Sequence, residues 1–116
     1  MKAIKPTAYA RFLNALDSLD RMKPGGQLDS LEQQILDYVY RASVNQKQLL
    51  VGDVIHLEQF GSQATLHARL KNLVGKGYIE LLENRIDGRR KSVQITKKAE
   101  LYYRYLSECM NKALKP

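Results

Sequence analysis

Cysteine is nearly missing from this chain of 116 residues: a single one, Cys109, excludes an intramolecular disulfide framework and fits a reducing, cytoplasmic setting. No apolar run approaches the ~20 residues needed to cross a bilayer, so no membrane partner is expected. The opening stretch, MKAIKPTAYARFLNAL, carries lysines but neither an uninterrupted apolar segment nor a cleavage site, which argues against a secretory signal. Internal repeats and low-complexity segments do not occur. Histidine is scarce too: His56 and His67, even with Cys109, have no close ligand spacing and no carboxylate cluster, so no metal is expected. Paired carboxylates, a nucleophile with its base, and a phosphate loop are all missing. The expectation is a protein that is not an enzyme and takes no cofactor.

Apolar residues make up 44% of the chain, enough for one domain with a modest core. Positive charge is in excess, and unevenly so. Residues 1–61 hold seven Lys/Arg against seven Asp/Glu, whereas residues 62–116 hold twelve against five and supply the whole net charge of +7. A basic excess confined to one half points to a polyanionic partner contacted by that half.

The chain is organised around Ser62 to Thr96. Ser62 is a natural N-cap after Gly61, and Leu66, Leu70, Leu73 and Val74 recur at helical spacing until Gly75 and Gly77 end the pattern. Tyr78 to Glu83 reads as a strand, Asp87-Gly88 as a hairpin turn, and Ser92 to Thr96 as the return strand. Before this stretch, Thr7 to Met22 predicts a first helix, which Lys23-Pro24-Gly25-Gly26 ends. A second helix starts at Asp29 or Ser30, with Glu32 or Gln33 as capping-box partner and Leu31, Ile35, Leu36, Val39 and Ala42 as its buried face. Asn45 to Lys47 breaks it. Leu49 to Leu57 predicts a short third helix, and the turn Glu58 to Gly61, with Phe60 packed between its neighbours, leads into the helix at Ser62. Two short helices joined by about four residues including Gly form a helix-turn-helix. The fold expected is mainly α with a small antiparallel β-hairpin: a winged helix-turn-helix of five to six helices plus wing.

After Thr96 a last helix runs to about Leu114. Its apolar stripe (Leu101, Tyr102, Tyr105, Leu106, Cys109, Met110, Ala113) is wide for so small a domain, as is that of the first helix (Tyr9, Phe12, Leu13, Leu16). A homodimer built from residues 1–28 and 97–116 would cover both, leaving residues 29–96 as the winged core. Cys109 on this stripe reads as a small core residue.

With the leucines inward, helical geometry turns Ala64, Ala68, Lys71, Asn72 and Gly75 outward, flanked by Gln63, Thr65 and His67. The leading turns of a recognition helix enter the major groove of double-stranded DNA. Gln63 suits adenine edges, Ala64 or Ala68 a thymine methyl, and Ser62, Thr65, His67, Lys71 and Asn72 complete the candidate contact set. Arg69, beside the core face, is expected to turn outward or pair with a carboxylate. The hairpin tip brings Arg85, Arg89, Arg90 and Lys91 together, and an arginine on a narrow loop suits the minor groove. Asp87 is expected to shape the turn or hold an arginine.

Residues Ser62 to Gly77 and Asp87-Gly88-Arg89-Arg90-Lys91-Ser92-Val93-Gln94-Ile95-Thr96 resemble the recognition helix and the Asp-x-Arg wing motif of the MarR family of winged-helix transcription regulators. The resemblance covers about 70 residues, from the second helix to Thr96. It implies a homodimer on a pseudo-palindromic promoter site, usually as a repressor, with Arg89 as a wing contact. Ala68 stands where the family often has arginine, and Ala99 where glycine often follows the threonine. Any small-molecule effector is left unknown. The alternatives are a winged helix used for protein interaction or assembly, and a plasmid or phage replication-control DNA binder.

Overall fold

The computed structural model describes residues 2–20, 27–83 and 87–115. In chain order the elements are α1 (Ala8–Asp20), α2 (Ser30–Val44), β1 (Leu49–Leu50), α3 (Val51–Ile55), α4 (Gln63–Gly75), β2 (Ile79–Glu83), β3 (Lys91–Ile95) and α5 (Lys97–Ala113). They fall into two compact units, residues 1–27 with 100–116, and residues 28–99. No helix among the described residues is long and apolar enough to cross a membrane.

In the first unit, Thr7 caps α1. Its Oγ1 accepts from the Ala10 amide at 3.1 Å and its carbonyl from the Arg11 amide at 3.1 Å. The helix begins one residue later than the sequence predicts, and Met22, its expected end, lies outside the described residues. Arg11 Nε donates to the Ala113 carbonyl at 2.8 Å, tying the first turn of α1 to the last turn of α5. Here α5 buries Tyr102, Tyr103 and Ala113, a pattern that admits Tyr103 and leaves Leu101 exposed; Ala99, also buried, belongs to the second unit. The rings of Tyr102 and Tyr103 meet edge to face at 5.2 Å.

The second unit is built on α2. Asp29 Oδ1 accepts from the Glu32 amide at 2.7 Å, and Glu32 Oε1 accepts from the Asp29 amide at 2.9 Å, completing the expected capping box. Ile35, Leu36, Val39 and Ala42 are buried as the periodicity predicts. The helix ends in a Schellman closure in which the Lys47 amide donates to the Ala42 carbonyl at 2.8 Å and Gln46 takes φ +58°. Helix α4 packs on α2, with its Leu66, Leu70 and Leu73 buried.

The expected third helix, Leu49 to Leu57, is corrected. Leu49 and Leu50 instead form β1, which pairs antiparallel with β3 through Leu49↔Val93 and Leu50↔Ser92. Helix α3 keeps only five residues. A short apolar run fits a strand or a helix equally well; the extended Leu50, whose amide donates to Asp53 Oδ2 at 2.9 Å, sets the boundary. The wing is therefore part of a three-stranded antiparallel sheet, order β1-β3-β2, rather than a free hairpin. β2 starts one residue later than expected and ends at Glu83 as expected, and β3 starts and ends one residue earlier than expected. Phe60 meets Tyr38 of α2 edge on, with centroids 6.2 Å apart, so its partner is α2.

Candidate nucleic-acid interface

The helix α4 presents two different sides. Leu66, Leu70 and Leu73 are buried, whereas Gln63, Ala64, His67, Ala68, Lys71 and Asn72 are exposed and Thr65 is half-buried. Not one residue of α4 is acidic. Ser62 is exposed and serves as N-cap: its Oγ accepts from the Thr65 amide at 3.2 Å, and its hydroxyl donates to Thr65 Oγ1 at 2.9 Å. Both hydroxyls are thus engaged in holding the first turn. Arg69 turns off this surface, its Nε 2.8 Å from Asp29 Oδ2. The N–H is not aimed along that line, so this contact is an ion pair rather than a hydrogen bond.

At the C-terminus of α4, the Tyr78 amide donates to the Leu73 carbonyl at 3.0 Å and the Gly77 amide to the Val74 carbonyl at 3.0 Å. Gly77 has φ +83°, the left-handed residue such a closure needs. The chain then enters β2 directly. Thr96 closes the far end of the sheet: its hydroxyl donates to the Gly77 carbonyl at 2.6 Å and accepts from the Ala99 amide at 3.1 Å. One side chain so links the end of α4, the end of the wing and the start of α5.

In the wing, the Arg90 amide donates to the Asp87 carbonyl at 3.0 Å, closing the tip turn. Asp87 Oδ1 accepts from the Arg89 amide at 3.1 Å and from Arg89 Nε at 3.4 Å, so Asp87 both shapes the turn and holds an arginine. Arg89, Arg90 and Lys91 are exposed. Arg85, the fourth expected wing cation, lies outside the described residues. Ser92 is buried, its hydroxyl donating to the Leu82 carbonyl at 3.4 Å.

Because β1 pairs with β3, the first turn of α3 is brought beside the wing. An open cleft of about 620 Å³ is lined there by Leu50, Val51, Gly52, Asp53 and His56 facing Arg89, Arg90 and Lys91. Sequence reasoning missed Gly52 and Asp53 as neighbours of the wing, since nothing local in the chain signals a pairing across forty residues. His56 Nδ1 lies 2.6 Å from the Gly52 carbonyl and donates to it. Among the described residues no group of three or more His, Cys, Asp or Glu side chains gathers to hold a metal ion.

Of the residues expected at a dimer interface, Tyr9 is 67%, Leu13 46%, Tyr105 45% and Met110 55% exposed. Phe12, Leu16, Leu106 and Cys109 are half-buried, and Tyr102 and Ala113 are buried.

No family model and no curated protein matches the chain. Solved structures do. A MepR mutant from a multidrug-resistant S. aureus clinical isolate superposes with a TM-score of 0.61 at 22% identity, over 91% of this chain and 71% of that one. The heme sensor protein PefR from Streptococcus agalactiae, in complex with heme, gives 0.57 at 16% identity, over 92% and 74%. A mutant MarR from E. coli gives 0.55 at 17% identity, over 97% and 85%. These neighbours are MarR-family transcription regulators. Among the described residues, five helices with a small three-stranded antiparallel sheet give this chain the winged-helix fold of the MarR-like regulators.

Proposed function

We propose that the protein is a sequence-specific, double-stranded DNA-binding transcription regulator acting in the cytoplasm as a homodimer. The observation that carries this reading is the pairing, within one compact unit, of a capped helix whose outward face is free of acidic residues with a sheet whose tip exposes Arg89, Arg90 and Lys91. A polyanion approaching α4 meets Lys71 and neutral hydrogen-bonding groups with no carboxylate on the helix to repel it, and meets three cations at the wing tip. Gln63, Ala64, His67 and Ala68 read base edges in the major groove. Ser62, Thr65, Lys71 and Asn72 position the helix on phosphates, and Arg85, Arg89, Arg90 and Lys91 follow the flanking minor groove.

The exposed apolar side chains Tyr9, Leu13, Tyr105 and Met110 support dimerisation through the first unit, since isolated domains seldom leave several large apolar groups in water together. A two-fold dimer then requires a pseudo-palindromic site, with repression by occlusion of a promoter.

Selection of bound duplexes from a random pool, at two salt concentrations, tests the proposal. The expected outcome is an enriched palindrome with half-site centres about 10 bp apart, together with a steep loss of affinity as salt rises. Absence of binding at low salt would overturn the DNA reading and favour an acidic protein as the wing's partner.

A further inference from the structure

The capping box of α2 has a second set of partners, one on α4 and the other at its C-cap. Asp29 uses Oδ1 for the Glu32 amide and turns Oδ2 toward Arg69 Nε at 2.8 Å. Glu32 uses Oε1 for the Asp29 amide, and both its carboxylate oxygens reach Lys76 Nζ, at 3.1 and 3.4 Å. Glu32 is only 2% exposed, one of two buried polar residues among the described core. A helix cap at the surface needs no such burial. Arg69 and Lys76 are seven residues apart, two helical turns or about 10 Å along the axis, and so share one flank. That flank separates the leucine ridge from the outward face.

We propose that Asp29 and Glu32 form a two-point charge clamp that sets the roll and axial position of the recognition helix, making them specificity-determining residues that do not themselves touch DNA. The proposal rests on the reading of α4 as the DNA-contacting helix. Apolar packing of Leu66, Leu70 and Leu73 on α2 supplies cohesion without direction. Two ion pairs two helical turns apart resist both sliding and rotation. Base readout tolerates misplacement of only about 0.5 Å or 10–20°, so a helix held by its ridge alone would still bind phosphates while blurring its base contacts.

The variant Asp29→Asn with Glu32→Gln isolates this role. Asn caps a helix as well as Asp, and Gln serves a capping box as Glu does, so the α2 cap survives while both ion pairs are lost. Three measurements separate the explanations: thermal stability, hydrogen exchange of α4 amides against those of the first turn of α2, and affinity for a selected duplex relative to a random one. The expected result is faster exchange in α4 with α2 unchanged, and a fall of about tenfold in discrimination, the size of one lost base contact. Removing two negative charges without any repositioning raises affinity for every duplex alike and leaves that ratio unaltered. An unaltered ratio, or unaltered α4 exchange, would therefore overturn the clamp. If the wild-type protein discriminates no duplex at all, the DNA reading fails by itself and the exchange measurement decides the clamp. Should the double variant not fold, Asp29→Asn alone, which cuts only the partly exposed pair, is read by the same criteria.

Discussion

Gly77 is the residue on which the turn from α4 to the wing depends. At φ +83° a side chain clashes with its own backbone, and a Cβ there would also sit 3.2 Å from Lys98 Nζ. The lysine tip can move away; the backbone cannot. Gly77→Ala is expected to lower stability by about 1–2 kcal/mol, measurable as a shifted urea midpoint with an unchanged slope. Arg89 belongs to function rather than stability. Its side chain is 94% exposed and its guanidinium meets Asp87 at 3.4 Å, so Arg89→Ala should leave the fold intact. It is expected to weaken DNA binding by about 1–3 kcal/mol, and unchanged affinity in the folded variant would take the wing tip out of the mechanism. Some residue roles were legible beforehand for chemical reasons. Asp87 and Ser62 act through bonds to backbone two and three residues away, and such bonds are written in the local sequence. Glu32 was legible only as half of a cap, because its second partner lies 44 positions along the chain.

Among the elements, α4 carries its own start and stop signals, and its observed limits match them closely. The same signals expose a conflict that mutation can resolve. An aspartate at position 62 caps a helix at least as well as serine, yet it adds a negative charge at the end expected to meet phosphate. Ser62→Asp is thus expected to keep or raise the melting temperature while weakening DNA binding by about tenfold through charge repulsion. Equal affinity in that variant would move the DNA away from the start of α4. The element misjudged from sequence was the segment Leu49 to Leu57, and the reason is the absence of periodicity in a short apolar run. Leu49, 3% exposed, is held across from Val93. Leu49→Ala is expected to cost about 2–4 kcal/mol, detectable by chemical denaturation. The loss should also show as faster amide exchange in β3, since the pairing that anchors the inner edge of the wing is weakened.

For the whole molecule, the question is assembly. Tyr105 and Met110 are exposed apolar side chains on α5 whose replacement leaves no cavity inside the chain. Tyr105→Asp with Met110→Asp is expected to yield a folded monomer by sedimentation, with loss of the palindromic site preference, and truncation after Lys98 to yield a monomer as well. A doubly substituted protein that still sediments as a dimer would place the interface elsewhere. Composition, the asymmetric charge, the capped helices and the hairpin turn are all properties of contiguous residues, governed by periods of two and 3.6 and by bonds that span a few positions. These made the winged helix and its candidate surface readable from the chain alone. The third strand, the cleft between α3 and the wing, the burial of Tyr103 in place of Leu101, and the ties from Asp29 to Arg69 and from Glu32 to Lys76 were not readable. Each joins groups far apart in sequence or depends on the rotation of a helix by one position. Such choices are settled by which surfaces meet when the elements pack, and no local propensity encodes that meeting.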